Sequence, residues 1–446
     1  MTSYIERPRY LCSLGGAFLT LTALPGTIPI LHAASGCAGN ITWAQNGGSG
    51  LQAGGYCGGL SVPSSNVQEK EVVFGGGDRL REQIKNTFDV MEGKLFVVTT
   101  GCVTEIIGDD VKAVVNEFRQ EGLPIIAAET GGFKGNSYDG YDIVMQALTR
   151  DYIKPSQTKG KGKVNIFGIV PYMDVFWRGN LEGIRQVLTR LGLEVNTFFT
   201  PDDTSESLAQ AANAELNIVV SESYGIETAK AFEEIHGIPY IVTGLPVGPS
   251  ATDKLIRDVA KVLSLDAEQA EKIITEENRR YYQYIDSLIE CYTDLDLQKY
   301  AVVIGDLNYA PALTRFLADD LGWLPELVVY TDQIEEDRKE YFAGLTDHLE
   351  SGLKPHVIFE TTTSRVIEHL NRLYPKIGSN KYMKGFSPAF VVGSSLDREL
   401  AQAINVPHLS IGFPVANRAV LDRGYTGYRG GLRLAEDLLS AAVVMR

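Results

Sequence analysis

Short apolar runs rich in β-branched residues alternate along the chain with amphipathic segments. The runs lie at residues 95–101, 124–130, 164–170, 216–223, 239–244, 300–306, 326–332, 356–362 and 389–395. Segments such as NLEGIRQVLTRLGL, with apolar residues at helical spacing, lie between them. Continuous apolar strands that alternate with helices are typical of parallel sheets covered on both faces. The pattern therefore predicts an α/β protein whose parallel sheets are flanked by helices.

Two polar segments divide this pattern into three Rossmann-like domains. Residues 154–163, KPSQTKGKGK, are polar and basic, which is typical of a linker. The charged helical stretch from residue 267 to 299 contains no strand pattern. We therefore predict a first domain at residues 1–160, a second at 161–298 and a third at 299–446.

Length and charge agree with this division and exclude some partners. The chain has 446 residues, a length that is typical of about three domains. With 41 basic and 56 acidic side chains the net charge is -15, which opposes binding to nucleic acid or to an anionic membrane. No apolar run reaches the roughly 18–20 residues that a membrane span needs. The apolar stretch near the N-terminus is interrupted by Pro25 and Pro29, which argues against an export signal, so we expect a cytoplasmic protein.

Phosphate-binding glycine motifs are missing from the sequence. No strand is followed by a G-x-G-x-x-G turn, and no G-x-x-x-x-G-K-[ST] segment occurs. We therefore expect the chain itself to bind no dinucleotide and to hydrolyse no ATP.

Three of the five cysteines, Cys12, Cys37 and Cys102, lie in the first domain beside glycines. Thiolates are the preferred ligands of iron–sulfur clusters, and neighbouring glycines let backbone N–H groups approach the cluster sulfurs. An isolated cysteine is more often a small buried apolar residue. Three glycine-flanked cysteines in one domain favour cluster ligation instead. The glycines concerned are Gly15, Gly16, Gly36, Gly39 and Gly101.

Three thiolates are one fewer than the four ligands that a cluster usually has. The fourth ligand is an oxygen, Cys57 in its glycine-rich loop, or a ligand from a partner chain. Cys291 lies in a helical stretch, and we interpret it as a packing residue. The six histidines show no metal-binding spacing and are interpreted as structural or exposed. Asp109 and Asp110 follow Gly108 and are predicted to cap the next helix.

Four segments together resemble the nitrogenase component 1 superfamily. HAASGCAGN (32–40) is similar to the family's His-Gly-x-x-Gly-Cys turn, with Ala33 in place of the usual glycine. VQEKEVVFGGGDRL (67–80) resembles its Glu-x-x-x-Val-Phe-Gly-Gly segment, and TTGCVTEIIGDDV (99–111) its Thr-Cys-x-x-x-Ile-Gly-Asp-Asp motif. GGFKGNSYDGYD (131–142) stands where the family has a Gly-Phe-x-Gly-Ser loop. The resemblance extends over nearly the whole chain.

The resemblance implies a cofactor and partners. Cys12, Cys37 and Cys102 match the three cysteines that each half-site contributes to an iron–sulfur cluster of the eight-iron P-cluster type (8Fe-7S), shared between two subunits. The implied assembly is an α2β2 heterotetramer with an α-type subunit that carries the catalytic cofactor, and the C-terminal segment of the third domain returns to the interface. A separate ATP-dependent iron–sulfur reductase would dock transiently.

Further segments are similar to β-type subunits. Residues 392–418 resemble the glycine turn and Gly-Phe-Pro strand near the end of such chains. Ser221 and Thr426 stand where α-type subunits have the cysteine and histidine that bind the large cofactor, and neither hydroxyl is a good substitute on iron. We therefore expect this chain alone to hold no catalytic metallocofactor.

Two functions follow from the resemblance. As a reductase subunit, the chain would relay electrons to the cofactor of its α-type partner. The chain lacks the long N-terminal extension of molybdenum-nitrogenase β subunits, and its interval of 65 positions from Cys37 to Cys102 is nearer the α-type pattern. These departures favour reduction of the carbon–sulfur bonds of methylthio-alkanes over reduction of dinitrogen. The alternative is a scaffold subunit on which a nitrogenase-type cofactor is assembled.

Overall fold

Three parallel β-sheets flanked by helices make up the protein. The computed structural model describes residues 5–52, 62–156, 158–374 and 388–444. The strands of each sheet are contiguous in sequence, and all strand pairs are parallel. The predicted α/β class with three Rossmann-like sheets is therefore confirmed. Within the described ranges, no helix is both long and apolar enough to cross a membrane.

The first sheet has three strands in the order β1-β2-β3. The strands are β1 (Thr27–His32), β2 (Leu95–Thr100) and β3 (Ile125–Ala128). The helices around them are α1 (Ser13–Ala23), α2 (Ser35–Gly48), α3 (Glu69–Phe74), α4 (Gly77–Val90), α5 (Cys102–Ile106), α6 (Val111–Gln120) and α7 (Ser137–Asp151). In register, Thr27 pairs with Leu95 and Phe96 with Ile125, so the three carboxyl ends lie along one edge of the sheet.

A fully apolar core supports the first sheet. Alternate residues of the central strand, Phe96 and Val98, pack with Ile84 of α4 and Val115 of α6. Side chains at alternate strand positions share one face of a sheet, so this face is closed by the two helices. The core fixes where β2 ends, and hence where Cys102 begins α5.

The second sheet has four strands in the order β5-β4-β6-β7. They are β4 (Lys163–Phe167), β5 (Glu194–Asn196), β6 (Leu216–Val219) and β7 (Tyr240–Val242). Their helices are α8 (Trp177–Arg190), α9 (Ser205–Ala209) and α10 (Ile226–His236). The central strands β4 and β6 are almost entirely buried, as their continuous apolar runs predict.

The third sheet has five strands in the order β10-β9-β8-β11-β12. They are β8 (Tyr300–Gly305), β9 (Leu324–Tyr330), β10 (His356–Phe359), β11 (Phe390–Gly393) and β12 (His408–Ser410). The helices before it are α11 (Gly248–Val262), α12 (Ala267–Asp286) and α13 (Ile289–Asp294). Helix α14 (Tyr309–Arg315) follows β8 and continues as a π-helical turn at Phe316–Asp320. The later helices are α15 (Glu336–Gly344), α16 (Thr363–Leu373), α17 (Arg398–Ile404) and α18 (Gly427–Val444).

The described residues fall in two compact units. One contains the first two sheets and consists of Tyr10–Val242 with Ala419–Leu421, and the other consists of Met1–Arg9, Thr243–Arg418 and Asp422–Arg446. The short segment Ala419–Leu421 thus returns to the N-terminal unit, where the N–H of Val420 donates to the carbonyl of Gly50. The predicted domain boundaries at residues 160 and 298 remain predictions.

Candidate functional site

Each of the three candidate cysteines lies at the start of a helix. Cys12 is the N-cap of α1, Cys37 lies in the first turn of α2, and Cys102 is the first residue of α5. Helices α2 and α5 follow the carboxyl ends of β1 and β2, which is where open α/β sheets place their ligands.

The structure brings Cys12 and Cys102 together around Gly132, and Cys37 lies near enough to interact with both electrostatically. A Cβ atom added at Gly132 would lie 3.0 Å from the Sγ atom of Cys102 and 3.2 Å from that of Cys12. Burial raises the pKa of the Cys37 thiol, and negative charges on Cys12 and Cys102 raise it further. Three thiolates this close repel one another, and positively charged iron between them removes the repulsion. The set of donors therefore fits an iron–sulfur cluster.

The three thiols do not form a compact site for a single metal ion. Among the described residues, no three His, Cys, Asp or Glu side chains lie close enough together to hold one metal ion. In a cluster each cysteine binds a different iron atom, so its ligands stand further apart. Cys12 and Cys102 are also exposed and Cys37 is partly exposed, which leaves the site open on one side.

The side-chain oxygens beside Cys12 are already engaged within the chain. The backbone of Cys12 forms an isolated antiparallel bridge with Asn136, whose side-chain oxygen accepts hydrogen bonds from Tyr138 and Asp139 at the start of α7. The hydroxyl of Ser13 donates to the carbonyl oxygen of Gly131 at 2.8 Å. Neither residue offers an uncommitted fourth ligand. Cys57, the other intrachain candidate, lies outside the described residues.

Two of the glycines beside the cysteines have packing roles. A Cβ atom at Gly16 would lie 1.8 Å from the carbonyl oxygen of Ser137, so this glycine lets α1 pack closely on α7. At Gly101 a Cβ atom would lie 2.5 Å from the Cβ of Ala33. Close packing therefore requires these two glycines by itself, and their role beside a cluster stays a prediction. Gly36 and Gly39 face open space instead.

An ion pair holds the loop that contains Gly132 against the helix that begins at Cys102. One carboxylate oxygen of Glu105 accepts hydrogen bonds from the N–H of Gly131 at 2.7 Å and from the hydroxyl of Thr100 at 2.5 Å. The other lies 2.8 Å from the ammonium of Lys134. Burial alone would raise the pKa of Glu105, but Lys134 and these hydrogen bonds outweigh it and lower the pKa. The sequence analysis missed Glu105 and Lys134, although both lie in the segments that resemble the family.

A second network fixes the ends of β1 and α4. The Nε2 atom of the buried His32 lies 3.0 Å from Asp109, and its Nδ1 lies 2.9 Å from the hydroxyl of Ser65. Asp109 also accepts from the N–H of Gly76 at 2.7 Å. Burial lowers the pKa of His32 despite the nearby carboxylate, which favours the neutral imidazole. His32 is thus structural, as predicted.

Only one of the two predicted capping residues caps α6. Asp110 accepts a hydrogen bond from the N–H of Ala113, as an N-cap does. Asp109 instead bonds to His32 and Gly76, so its predicted role as a cap was wrong. The packing role predicted for Cys291 was also wrong, because that cysteine is exposed.

The two hydroxyl residues at the α-type cofactor positions are buried. The Ser221 hydroxyl accepts hydrogen bonds from the N–H groups of Ser223 and Tyr224, at 3.2 and 2.9 Å. Thr426 is 2% exposed. Ser221 is therefore committed to a local turn, which leaves it poorly suited to bind iron.

Large apolar side chains are exposed on the elements that carry or adjoin the cysteines. Trp43 of α2 is 80% exposed, Phe74 at the end of α3 is 82% exposed, Ile106 at the end of α5 is 74% exposed, and Phe133 beside Gly132 is 61% exposed. We call these four residues the apolar face. Single exposed apolar side chains are common on protein surfaces, and a contiguous group of them is typical of a contact with another protein.

The family of the chain follows from its sequence as a whole. The model for nitrogenase component 1 type oxidoreductases matches residues 12–442. The chain belongs to this family, and it is a β-type subunit of an oxidoreductase complex.

Individual relatives agree with the family assignment. The chain is 24% identical to the nitrogenase molybdenum-iron protein beta chain of Azotobacter vinelandii, over 97% of its own length and 83% of that chain. It is 25% identical to the nitrogenase iron-molybdenum cofactor biosynthesis protein NifE of Methanococcus maripaludis, with the same two coverages, 97% and 83%. A solved structure of nitrogenase Cp1 at pH 6.5 superposes with a TM-score of 0.78 over 100% of this chain and 94% of that one. At 19% identity, the last likeness concerns the fold alone.

Proposed function

We propose that this chain is the β-type subunit of a nitrogenase-like reductase in the cytoplasm. In this role it relays electrons from an ATP-dependent iron–sulfur reductase to the cofactor of an α-type partner. The observation that carries the proposal is the convergence of Cys12, Cys37 and Cys102 at the open carboxyl edge of the first sheet. A cluster of the eight-iron P-cluster type, held there with a partner's ligands, supplies one-electron redox chemistry.

The residues of this chain have distinct tasks in the proposal. The three cysteines provide half of the ligands, and Gly132 leaves room between two of them. The ion pair of Glu105 with Lys134 holds the glycine loop in place. The apolar face receives the α-type subunit, whose binding excludes water from the shared site and completes its ligands. Two such pairs form an α2β2 tetramer.

Within this class we favour reduction of the carbon–sulfur bond of a methylthio-alkane, which yields a thiol and a hydrocarbon from two electrons and two protons. The interval between Cys37 and Cys102 departs from that of molybdenum-nitrogenase β subunits, which supports this choice. Reduction takes place on the partner, since Ser221 is committed to a backbone turn.

A scaffold for cofactor assembly is the second candidate. The similarity to the NifE protein, a cofactor biosynthesis protein, supports it, because its identity and coverage match those of the catalytic β chain. A scaffold uses the same cysteines to hold a cluster between two chains. It differs in passing a finished cofactor to another enzyme instead of reducing a substrate itself.

Co-purification with an α-type partner chain tests the proposal. The complex is isolated without oxygen, supplied with ATP and its reductase, and offered dimethyl sulfide or dinitrogen, while methane, methanethiol and ammonia are measured. Release of methane and methanethiol supports the proposed reaction, and ammonia supports nitrogenase. A complex that forms no product but activates a cofactor-free reductase is a scaffold, and this result would overturn the proposal. A Cys37→Ala complex is the control for each activity.

A further inference from the structure

A cavity of about 620 Å³ lies in the C-terminal unit, between α12, the start of α13 and α18. Six side chains define its character: Arg280, Tyr281, Tyr284, Tyr428, Arg429 and Arg433. Cavities of this size are typical of sites for small organic ligands. The cavity contains none of the residues of the cysteine site.

Three arginines give the lining of the cavity a net positive charge. Within the described ranges, no hydrogen bond or ion pair joins the guanidinium group of Arg280, Arg429 or Arg433 to another residue. Two carboxylates, those of Glu277 and Glu436, line the same cavity, so positive charge remains in excess. In a chain with a net charge of -15, such a concentration of arginine is unusual.

Other arginines of the same unit are neutralised. Arg418 and Arg423 both pair with Asp437 of α18, with nitrogen to oxygen distances of 2.7 and 2.6 Å. Helix α18 therefore pairs one set of arginines with a carboxylate and presents Arg429 and Arg433 to the cavity without one. Residues four positions apart lie on the same face of a helix, so these two guanidinium groups are positioned to act together.

Tyr281 gives the cavity a rigid wall. The residue is 1% exposed, and its hydroxyl has no hydrogen-bond partner among the described residues. A Cβ atom at Gly431 would lie 3.3 Å from the ring of Tyr281 and 2.8 Å from the Cα of Gly248, so α18 packs tightly here. Burial, and then the charge of Asp320, raise the pKa of Tyr281, which keeps the hydroxyl protonated as a donor.

We propose that this cavity binds a small organic anion with at least two phosphate or carboxylate groups. Arg429 and Arg433 bind it from α18 and Arg280 from α12, because guanidinium groups match the planar geometry of both kinds of anion. The rings of Tyr284 and Tyr428 contact its carbon skeleton. The site is separate from the proposed electron relay and does not depend on it.

Isothermal titration calorimetry on the full-length chain tests this site with three probes: pyrophosphate, citrate and adenosine diphosphate. We expect at least one to bind with a dissociation constant in the micromolar range. The double variant Arg429→Gln/Arg433→Gln should weaken its binding at least tenfold, roughly the loss of one charge-assisted hydrogen bond. Circular dichroism establishes that each variant is folded.

A matched control separates the local site from net charge. Arg150→Gln/Arg365→Gln removes the same charge at two exposed positions that do not line the cavity, and it should change binding less than twofold. Tighter binding of adenosine diphosphate than of pyrophosphate assigns the ligand to nucleotides, and tightest binding of citrate assigns it to polycarboxylates. Absence of binding for all three probes at millimolar concentration, or equal loss in the two double variants, would overturn the proposal.

Discussion

The ammonium of Lys134 lies 2.8 Å from the carboxylate of Glu105, and this ion pair joins the loop after β3 to the helix that begins at Cys102. Glu105 is 13% exposed, so the pair is largely screened from water. Because the loop also contains Gly132, the pair determines the space between Cys102 and Cys12. Its effect should therefore be measurable both in stability and in iron binding.

Replacement of the Glu105 carboxylate should loosen this loop. Glu105→Ala leaves the N–H of Gly131 without its acceptor and removes the closer of the two carboxylates beside Lys134, which costs about 1–3 kcal/mol in the free energy of unfolding. Chemical denaturation measures the change, and iron analysis of the complex should show a lower content. The control is Glu117→Ala, which removes an exposed pair with Arg81 and should lower the free energy of unfolding much less. Equal losses in the two variants would contradict the role given to Glu105.

Gly132→Ala tests the space between the thiols. The added Cβ atom would stand 3.0 Å from Cys102 Sγ and 3.2 Å from Cys12 Sγ, closer than most such contacts, so it should displace both thiols. We expect the variant chain to fold normally but the complex to contain less iron. Gly344→Ala, whose added atom meets nothing within 4 Å, is the control. Full iron content in Gly132→Ala would show that the thiols need not occupy these positions.

The apolar face should be required for pairing. Ile106→Ser removes a 74% exposed apolar side chain four residues after Cys102, and it should weaken association with the α-type subunit about tenfold or more without altering the melting temperature of the isolated chain. Analytical ultracentrifugation measures the association. Val90→Ser is the matched control, because Val90 is 79% exposed but precedes β2 and so lies at the opposite edge of the sheet. If both variants pair as well as the unaltered chain does, Ile106 is not part of an interface.

A buried carboxyl group on α7 should make stability depend on pH. Burial raises the pKa of Asp142 to about 6, although hydrogen bonds from Thr228 and Gly225 oppose the rise. Between its unfolded value of about 4 and this value, the folded state binds the proton more tightly. The contribution of Asp142 to the free energy of unfolding is then fully present below about pH 4 and is lost as the pH rises through 6. This loss amounts to roughly 3 kcal/mol.

Chemical denaturation at several pH values measures this contribution. The free energy of unfolding of the isolated chain is compared with that of two variants. Asp142→Asn should remove the contribution, so that the stability of the variant falls less than that of the unaltered chain between pH 4 and 6. Asp89→Asn, at an exposed position on α4, should keep the dependence of the unaltered chain. If the free energies of unfolding of the unaltered chain and of Asp142→Asn change in parallel with pH, the pKa of Asp142 is not raised.

The sequence predicts the strands of the three sheets wherever burial on both faces produces a continuous apolar run. Three strands lacked that signal. β1 contains Pro29, which a strand accepts at the edge of a sheet, and its apolar residues also resembled part of an export signal. β5 and β12 have three residues each and lie at sheet edges, where short and polar strands are common.

The candidate site was predictable only in part for a related reason. Cysteines are rare, so their positions beside glycines drew attention to Cys12, Cys37 and Cys102, whose role as ligands remains a prediction. Glu105 and Lys134 are common surface residue types, and their pairing depends on how α5 and the loop after β3 meet in space. No local pattern encodes such a contact. The same holds for Asp109, whose partner His32 lies 77 positions earlier.

Iron content and pairing of Cys37→Ala test the central claim, that the three cysteines hold a cluster shared with a partner. The variant and the unaltered chain are each purified without oxygen together with the α-type subunit, and iron per chain and the amount of complex are measured. Cys291→Ala, which removes an exposed cysteine from α13, is the control. We predict that Cys37→Ala loses iron and complex together, because cluster binding and assembly are linked, while the control keeps both. Full iron content and normal pairing of Cys37→Ala would contradict the claim.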